Sequence, residues 1–469
     1  MKLLKTKQLI LIISFFIFSL VTFFLVTRFR KPPVTEEVKK IENNNYDFLI
    51  YNTEPSLETC FERLADEYKN VSGIVPSVVT KDIEMLYNFN NSDNPPDIFM
   101  VKNLEELKSQ NQYGNVSDFL NASEKTFQEV MKTIPDMLRL KINNINNCGL
   151  PLSISGFGWA VNKKLLSSVF GEESYKNVIN DLITCSYEDF VSFVNDIKFS
   201  NSTTLNGIVY GINRNALESM ESVFAIPADF SISKLFNIVF VKFFESASDL
   251  SNAANISDVS GKFSDWLHMM DVVTSNNSIK RGSDFISLEK NSRSSSVKNF
   301  VSGKSMFLLA DDSDFEEIKK SDSDIASHLT FIPIKIPNDV NENIDINTNL
   351  TIHCPYYLMI NAKSSKSKLA QDFLTWLVSS PSAKKCLLES ANCVLYNVKD
   401  PDSVENSLTR STLNYLQSDN VLPPVFQGIK KSWINSVYQQ LNKKYLIVSN
   451  WSPSYFDNFD SYCLKKWMY

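Results

Sequence analysis

With 469 residues, 43% of them hydrophobic and 12% aromatic, the chain can bury large cores. At about 150 residues per domain, its length suggests two to three lobes. The net charge of -6, with no dense Lys/Arg block outside the N-terminal flanks, argues against a nucleic-acid partner, and the 12 glycines form neither G-x-x-x-x-G-K-[ST] nor G-x-G-x-x-G.

The first element is apolar. Leu9 to Val26 runs without a charge, interrupted only by Ser14, Ser19 and Thr22, between Lys2, Lys5 and Lys7 on one side and Arg28, Arg30 and Lys31 on the other. About 18 apolar residues suffice to span a bilayer core as a helix. A cleaved signal peptide needs small residues before the cut, whereas this exit reads Val26-Thr27-Arg28-Phe29-Arg30, with no Cys to accept a lipid. Residues 1–31 are therefore expected to stay as a membrane anchor, with cleavage as the alternative. Residues 32–45, polar from Glu36 to Asn45, read as a linker.

Strands and helices then alternate. Asp47 to Asn52 is a short apolar run ending in turn chemistry at Thr53-Glu54-Pro55-Ser56, where Ser56 can cap a helix carrying Leu57, Cys60, Phe61, Leu64, Ala65 and Tyr68 at helical spacing. A second strand is expected over Ile74–Val79, a helix through Tyr87, and a buried strand at Ile98–Val101 after Pro95-Pro96-Asp97. That order predicts an α/β lobe with a parallel sheet. Further on, Gly149-Leu150-Pro151-Leu152 leads through Gly156 and Gly158 to Trp159–Lys164. Ser186 with Asp189 forms a capping-box-like helix start for Phe190, Val191, Val194 and Ile197. Phe236–Phe244 is densely apolar, Phe263–Val273 has helical spacing, and Ser287–Ser296 reads as a polar loop. Leu369–Leu377 predicts an amphipathic helix closed by Ser379-Ser380-Pro381.

The 7 cysteines include no C-x-x-C and the 3 histidines no H-x-x-x-H, so neither a disulfide framework nor a zinc site is expected. No cofactor is expected either.

Five segments in order resemble the extracellular solute-binding proteins of bacterial ABC importers, of the maltose- and oligosaccharide-binding type (family 1). They are Phe61–Tyr68 with its flanking strands, Pro96–Met100, Gly149-Leu150-Pro151 running to Val161–Leu166, Phe300–Met306, and Tyr357–Lys363 followed by Ala370–Leu377. Val161 replaces the family's tyrosine, and Asp311-Asp312-Ser313-Asp314 replaces its aromatics after the fourth segment.

The resemblance implies a two-lobed periplasmic-binding-protein-like α/β fold (type II) that closes on its ligand. Lobe one would hold 46–155 plus 332–385, and lobe two 158–330 plus 386–469. Leu150–Val161 and Leu329–Ile334 would be the crossing strands. The implied function is an extracytoplasmic carbohydrate-capturing component of an ABC importer, a monomer outside the cell membrane whose partners are a sugar and permease subunits. A membrane-tethered sensory or assembly protein reusing the fold is the alternative. A hydrolase lacks support, since no G-x-S-x-G occurs.

Sugar binding calls for aromatic plates and hydrogen-bonding acceptors. By resemblance, Trp433 at the start of a C-terminal helix is a candidate ligand contact, as is Trp159 beside the Gly156/Gly158 pair. Core packing is the alternative for both. Glu54 sits at the carboxyl end of the first strand, where open α/β sheets bind ligands, or serves as a helix N-terminal charge. Asp311 and Asp312 end the apolar strand from Met306 at an equivalent place, with exposed loop charge as their alternative. Phe230 and Phe224 are further aromatic candidates, with core packing the other reading.

Overall fold

The computed structural model describes residues 46–80, 94–228, 261–337, 346–422 and 431–467. The chain divides into two compact units, Met1–Tyr46 and Asp47–Tyr469, and the second holds every element described below. The apolar run Leu9–Val26, the segment through Tyr87, Phe236–Phe244 and Phe230 lie outside the described residues. Among the described residues no helix is long and apolar enough to cross a membrane.

Strand β1 (Phe48–Asn52) is buried at every position, the pattern of a strand covered on both faces. Helix α1 (Glu58–Ser72) turns Cys60, Phe61, Leu64, Ala65 and Tyr68 inward and stops at Gly73, whose φ of 75° forms a left-handed cap bonded to Lys69. Ser56 does not cap it; Glu54 caps the 3-10 turn Pro55–Leu57 instead. Strands β2 (Pro76–Thr80), β3 (Ile98–Val101), β4 (Leu150–Pro151) and β5 (Ser155–Asn162) follow. Asn162 accepts the Lys164 N–H and so starts α2 (Lys163–Phe170), and α3 (Tyr175–Thr184) comes next.

Ser186 caps α4 (Tyr187–Phe199) through the Asp189 N–H, and Phe190, Phe193, Val194 and Ile197 are its buried stripe. A hairpin, β6 (Ser202–Leu205) and β7 (Ile208–Gly211), precedes β8 (Ser222–Ala225) and α5 (Lys262–Ser275). The serine-rich stretch expected to be loop is turn and bend as far as Ser292, but Arg293–Ser296 begin α6 (Arg293–Val301), because Ser292 accepts the Ser295 N–H as an N-cap. Then come β9 (Ser305–Asp311), β10 (Leu329–Ile332), β11 (Leu350–His353) and β12 (Tyr357–Ile360). The chain ends with α7 (Ser367–Ser379), α8 (Pro381–Ala391), α9 (Ser407–Gln417), β13 (Val421–Leu422), α10 (Lys431–Gln440) and α11 (Pro453–Trp467).

These strands build two main sheets. The first has the order β2-β1-β3-β12-β4, parallel across β1, β2 and β3 and antiparallel where β12 joins. Phe48 packs against Tyr68 of α1 and Phe373 of α7, which also meet each other at 5.1 Å, so these two helices together cover one face. The second sheet has the order β13-β11-β5-β9-β8, with β10 also on β5. Trp159, Phe224 and Phe307 form the centre of its core, which continues through Trp266 and Phe459 into α11.

Three segments carry the chain between the sheets. The first, Leu152-Ser153-Ile154, joins β4 to β5. The second, Cys354-Pro355-Tyr356, joins β11 to β12, and the third follows α8. They are bonded to each other: Leu152 N–H to the Tyr356 carbonyl at 3.0 Å and Ile154 N–H to the Val394 carbonyl at 3.0 Å. Ser153 lies at their centre, its carbonyl accepting from the Cys354 thiol at 3.0 Å and its hydroxyl from the Val394 N–H at 3.3 Å.

Two expectations are corrected here. Leu329–Ile334 is not a crossing strand: β10 pairs with β5 from Asn162 to Trp159 and stays in the second sheet. The segment 332–385 does not belong to one lobe, since β11 pairs with β5 while β12 pairs with β3. The first layer also extends past 385: Cys386 of α8 faces Cys60 of α1, each thiol reaching toward the other's carbonyl at 3.9–4.0 Å.

Candidate functional site

At the carboxyl end of β1, Asn52 sets the turn. Its amide donates to the Glu54 carbonyl at 2.7 Å and to Thr80 at the end of β2 at 3.2 Å, while its oxygen accepts the Glu54 N–H at 2.9 Å. The turn aims the Glu54 carboxylate at two neighbours: the Ser56 hydroxyl at 2.9 Å and the Lys102 ammonium at 3.3 Å. Lys102 directly follows β3 and also donates to the Thr53 carbonyl at 2.9 Å. Burial pushes the Glu54 carboxyl up, but the bonds from Ser56 and Lys102 outweigh it, so the group ionises below the usual carboxylate range.

Tyr356, in the second crossing segment, completes this group. Its hydroxyl is pushed up to about 12, chiefly by burial and then by the Glu54 charge. Asn52, Glu54, Lys102 and Tyr356 therefore gather beside the crossings. Glu54 and Lys102 keep 24% and 28% of their side-chain surface in water, so a ligand can reach them.

The carboxyl end of β9 is built differently. Asp311 accepts the Ser313 N–H at 2.9 Å, while Asp314 in turn accepts the Asp311 N–H at 2.9 Å, a complete capping box. Arg293 pairs with Asp314 and lies 3.7 Å from Asp311. One Asp312 oxygen accepts from the Gly156 N–H and the Thr412 hydroxyl, both at 2.9 Å. Asp312 also donates its N–H to Ser155 at 3.3 Å and accepts Asn406 on its carbonyl at 2.9 Å. Its second oxygen is buried with no hydrogen-bond partner among the described residues. Burial, first of all, pushes this carboxyl up to about 7. Gly156 is required here: a Cβ would stand 2.3 Å from the Thr412 hydroxyl.

Of the predicted contacts, only Glu54 joins the partly exposed group. Asp311 and Asp312 are 3% and 8% exposed and tie β9 to β5, α6 and α9 rather than standing as loop charges. Trp159 is fully buried, its ring 4.7 Å from Phe224, because β5 turns that face into the sheet core. Trp433 is 5% exposed, donates to the Cys463 carbonyl at 3.3 Å and packs 5.6 Å from Phe263. Both tryptophans are core residues in this conformation, and so is Phe224. Lys102, Tyr356 and Asn52 went unrecognised in the sequence; the placement of Lys102 directly after an apolar strand was the available signal.

Among the described residues no group of three His, Cys, Asp or Glu could hold a metal ion. No family model and no curated protein matches the chain. Solved structures do. The bacterial solute receptor AcbH, described as having an exclusive preference for β-D-galactopyranose, superposes with a TM-score of 0.63 at 10% identity, over 89% of this chain and 97% of that one. A family 1 extracellular solute-binding protein from Bifidobacterium longum subsp. infantis gives 0.62 at 14% identity, over 90% and 98%. Apo RafE from Streptococcus pneumoniae gives 0.60 at 12% identity, over 90% and 97%.

The chain has the fold of the family 1 extracellular solute-binding proteins. In that fold the Glu54 group and the β9 end both flank the crossing segments, Tyr356 feeling the Glu54 charge on one side and Ser155 bonding Asp312 on the other.

Proposed function

We propose that the protein is the extracytoplasmic substrate-binding component of an ABC importer, capturing a carbohydrate as its two lobes close. The observation that carries this is a pair of α/β sheets joined by three bonded crossing segments, with a partly exposed polar group where strand ends meet a crossing. Crossing segments are the natural hinge of such a molecule. Similar structures support the ligand class: AcbH is a receptor for a galactopyranose, and another is RafE in complex with raffinose. Glu54 can accept sugar hydroxyls, Lys102 can donate to them, and the Tyr356 ring can meet an apolar sugar face. The protein binds and hands over its solute and does no covalent chemistry. Permease subunits are its partners, and it acts as a monomer.

The same reading keeps Leu9–Val26 in the membrane as an uncleaved anchor with the lobes outside. N-terminal sequencing of the membrane fraction tests it: the chain should start at its initial residues, and a start between Thr27 and Asn45 would overturn the anchor. The binding function is tested by thermal shift across sugars. A solute at a hundredfold excess over its dissociation constant should add about 2.7 kcal/mol of stability. A glycoside that is turned over instead would overturn the reading.

A further inference from the structure

A concavity apart from the Glu54 group shares no residue with it. A cavity of about 490 Å³ lies on the second lobe between α3 and α9, with Lys163 and Thr330 among its lining residues. Its walls are fixed. Ser411 of α9 accepts the Phe331 N–H at 3.1 Å and meets Thr330 at 3.2 Å, while the Tyr415 hydroxyl donates to the Phe331 carbonyl at 3.1 Å. Asn162 holds Lys163 at the first position of α2.

The charges around this cavity do not balance. Lys163 and Lys176 both line it, and neither ammonium has a hydrogen bond or ion pair among the described residues. Burial, and then the neighbouring Arg410, push Lys163 below the ordinary lysine range; Asp402 is the opposing charge. The Arg410 Nε is buried without a hydrogen-bond partner among the described residues. Lys163 is partly buried beside Arg410, and the exposed Lys176 adds a further positive charge, so an anion would relieve the cost of holding Lys163 charged there. Beside the cations, Ile179 and Ile183 supply an apolar wall, and Asn180 and Asn414 supply amides that can bond hydroxyls or carbonyls.

We propose that this cavity is a binding site for a small soluble organic anion, its carboxylate or phosphate on Lys163 and its body against Ile179 and Ile183. The site is separate from the sugar site and does not depend on it.

Calorimetric titration of the full chain with citrate and with glucose 6-phosphate at low ionic strength tests this. At least one probe should bind saturably, and more weakly as salt is added. Lys163→Gln should weaken that binding about tenfold or more, the cost of losing a charge-assisted bond. Lys163→Arg should restore most of it, and Lys176→Gln should lower it with the fold undisturbed. Glu54→Ala should leave it unchanged. No saturable binding of either probe, equal affinity in Lys163→Gln, or loss in Glu54→Ala alone would overturn the proposal.

Discussion

Two strand ends flank the crossings, and both carry carboxylates, yet they are different devices. Glu54 after β1 is about a quarter exposed, ionises readily and shares its oxygens with a serine and a lysine that water also reaches. Asp312 after β9 is buried, resists ionisation and bonds the backbone of β5 and the hydroxyl of Thr412. The lesson is that position at a strand's carboxyl end does not decide a residue's role. Residual exposure does, because a ligand can exchange only for bonds that water could also make. On this view Glu54 serves the ligand, while Asp312 holds the frame next to the hinge.

The frame around Asp312 should show the largest effect. Trp159 lies on β5 two residues beyond Phe157 and is fully enclosed, so Trp159→Ala should cost about 3–5 kcal/mol in chemical denaturation. A stable Trp159→Ala protein with lost sugar affinity would instead return that ring to the ligand.

Asp312 gives a signed pH prediction. Its carboxyl ionises near 3.8 when unfolded and at about 7 when folded, so between those values the folded state holds the extra proton. Stability attributable to Asp312 should therefore be full below about pH 4, fall as pH rises toward 7, and stay low above it. Each tenfold change in proton affinity is worth about 1.4 kcal/mol, so the loss is at most about 4 kcal/mol. Asp312→Asn, neutral at every pH, should flatten that fall and be the more stable protein at pH 8. A variant whose pH profile matches the wild type would show that Asp312 is already ionised in the fold.

Glu54→Ala should do the converse. Breaking its partly exposed pair with Lys102 should cost only about 0.2–1 kcal/mol of stability, while sugar binding weakens by about 1.5–3 kcal/mol if the carboxylate accepts sugar hydroxyls. Melting and titration on one sample check both. A large fall in melting temperature with affinity intact would make Glu54 the structural residue of the two.

The legible parts of the fold were local. Ser186 and Asp189 announced a helix because a cap and its stripe lie within a few residues of each other. Phe61 to Tyr68 did the same for α1. The second crossing was not legible: β10 and β11 are both short apolar runs, and only pairing with β5, β12 and β3 reveals which one leads across. The site divided in the same way. Glu54 could be read from its place after a strand, but its partner Lys102 lies 48 residues on and Tyr356 some three hundred residues on. Trp159 and Trp433 looked like aromatic plates because sequence records the ring and not which face of the strand or helix is turned inward. Likewise Asp311-Asp312-Ser313-Asp314 reads as an exposed acidic loop until Arg293, Gly156 and Thr412 are brought against it.

Closure of the lobes about the crossing segments, on a sugar held by the Glu54 group, is tested most directly by small-angle scattering. The lobes would be measured free and saturated with a sugar that raises the melting temperature. The radius of gyration should fall on saturation in the wild type, and Glu54→Ala at a sugar concentration near the wild-type dissociation constant should stay close to the free value. A sugar that binds tightly while leaving the radius unchanged would contradict closure, and unchanged binding in Glu54→Ala would contradict the site.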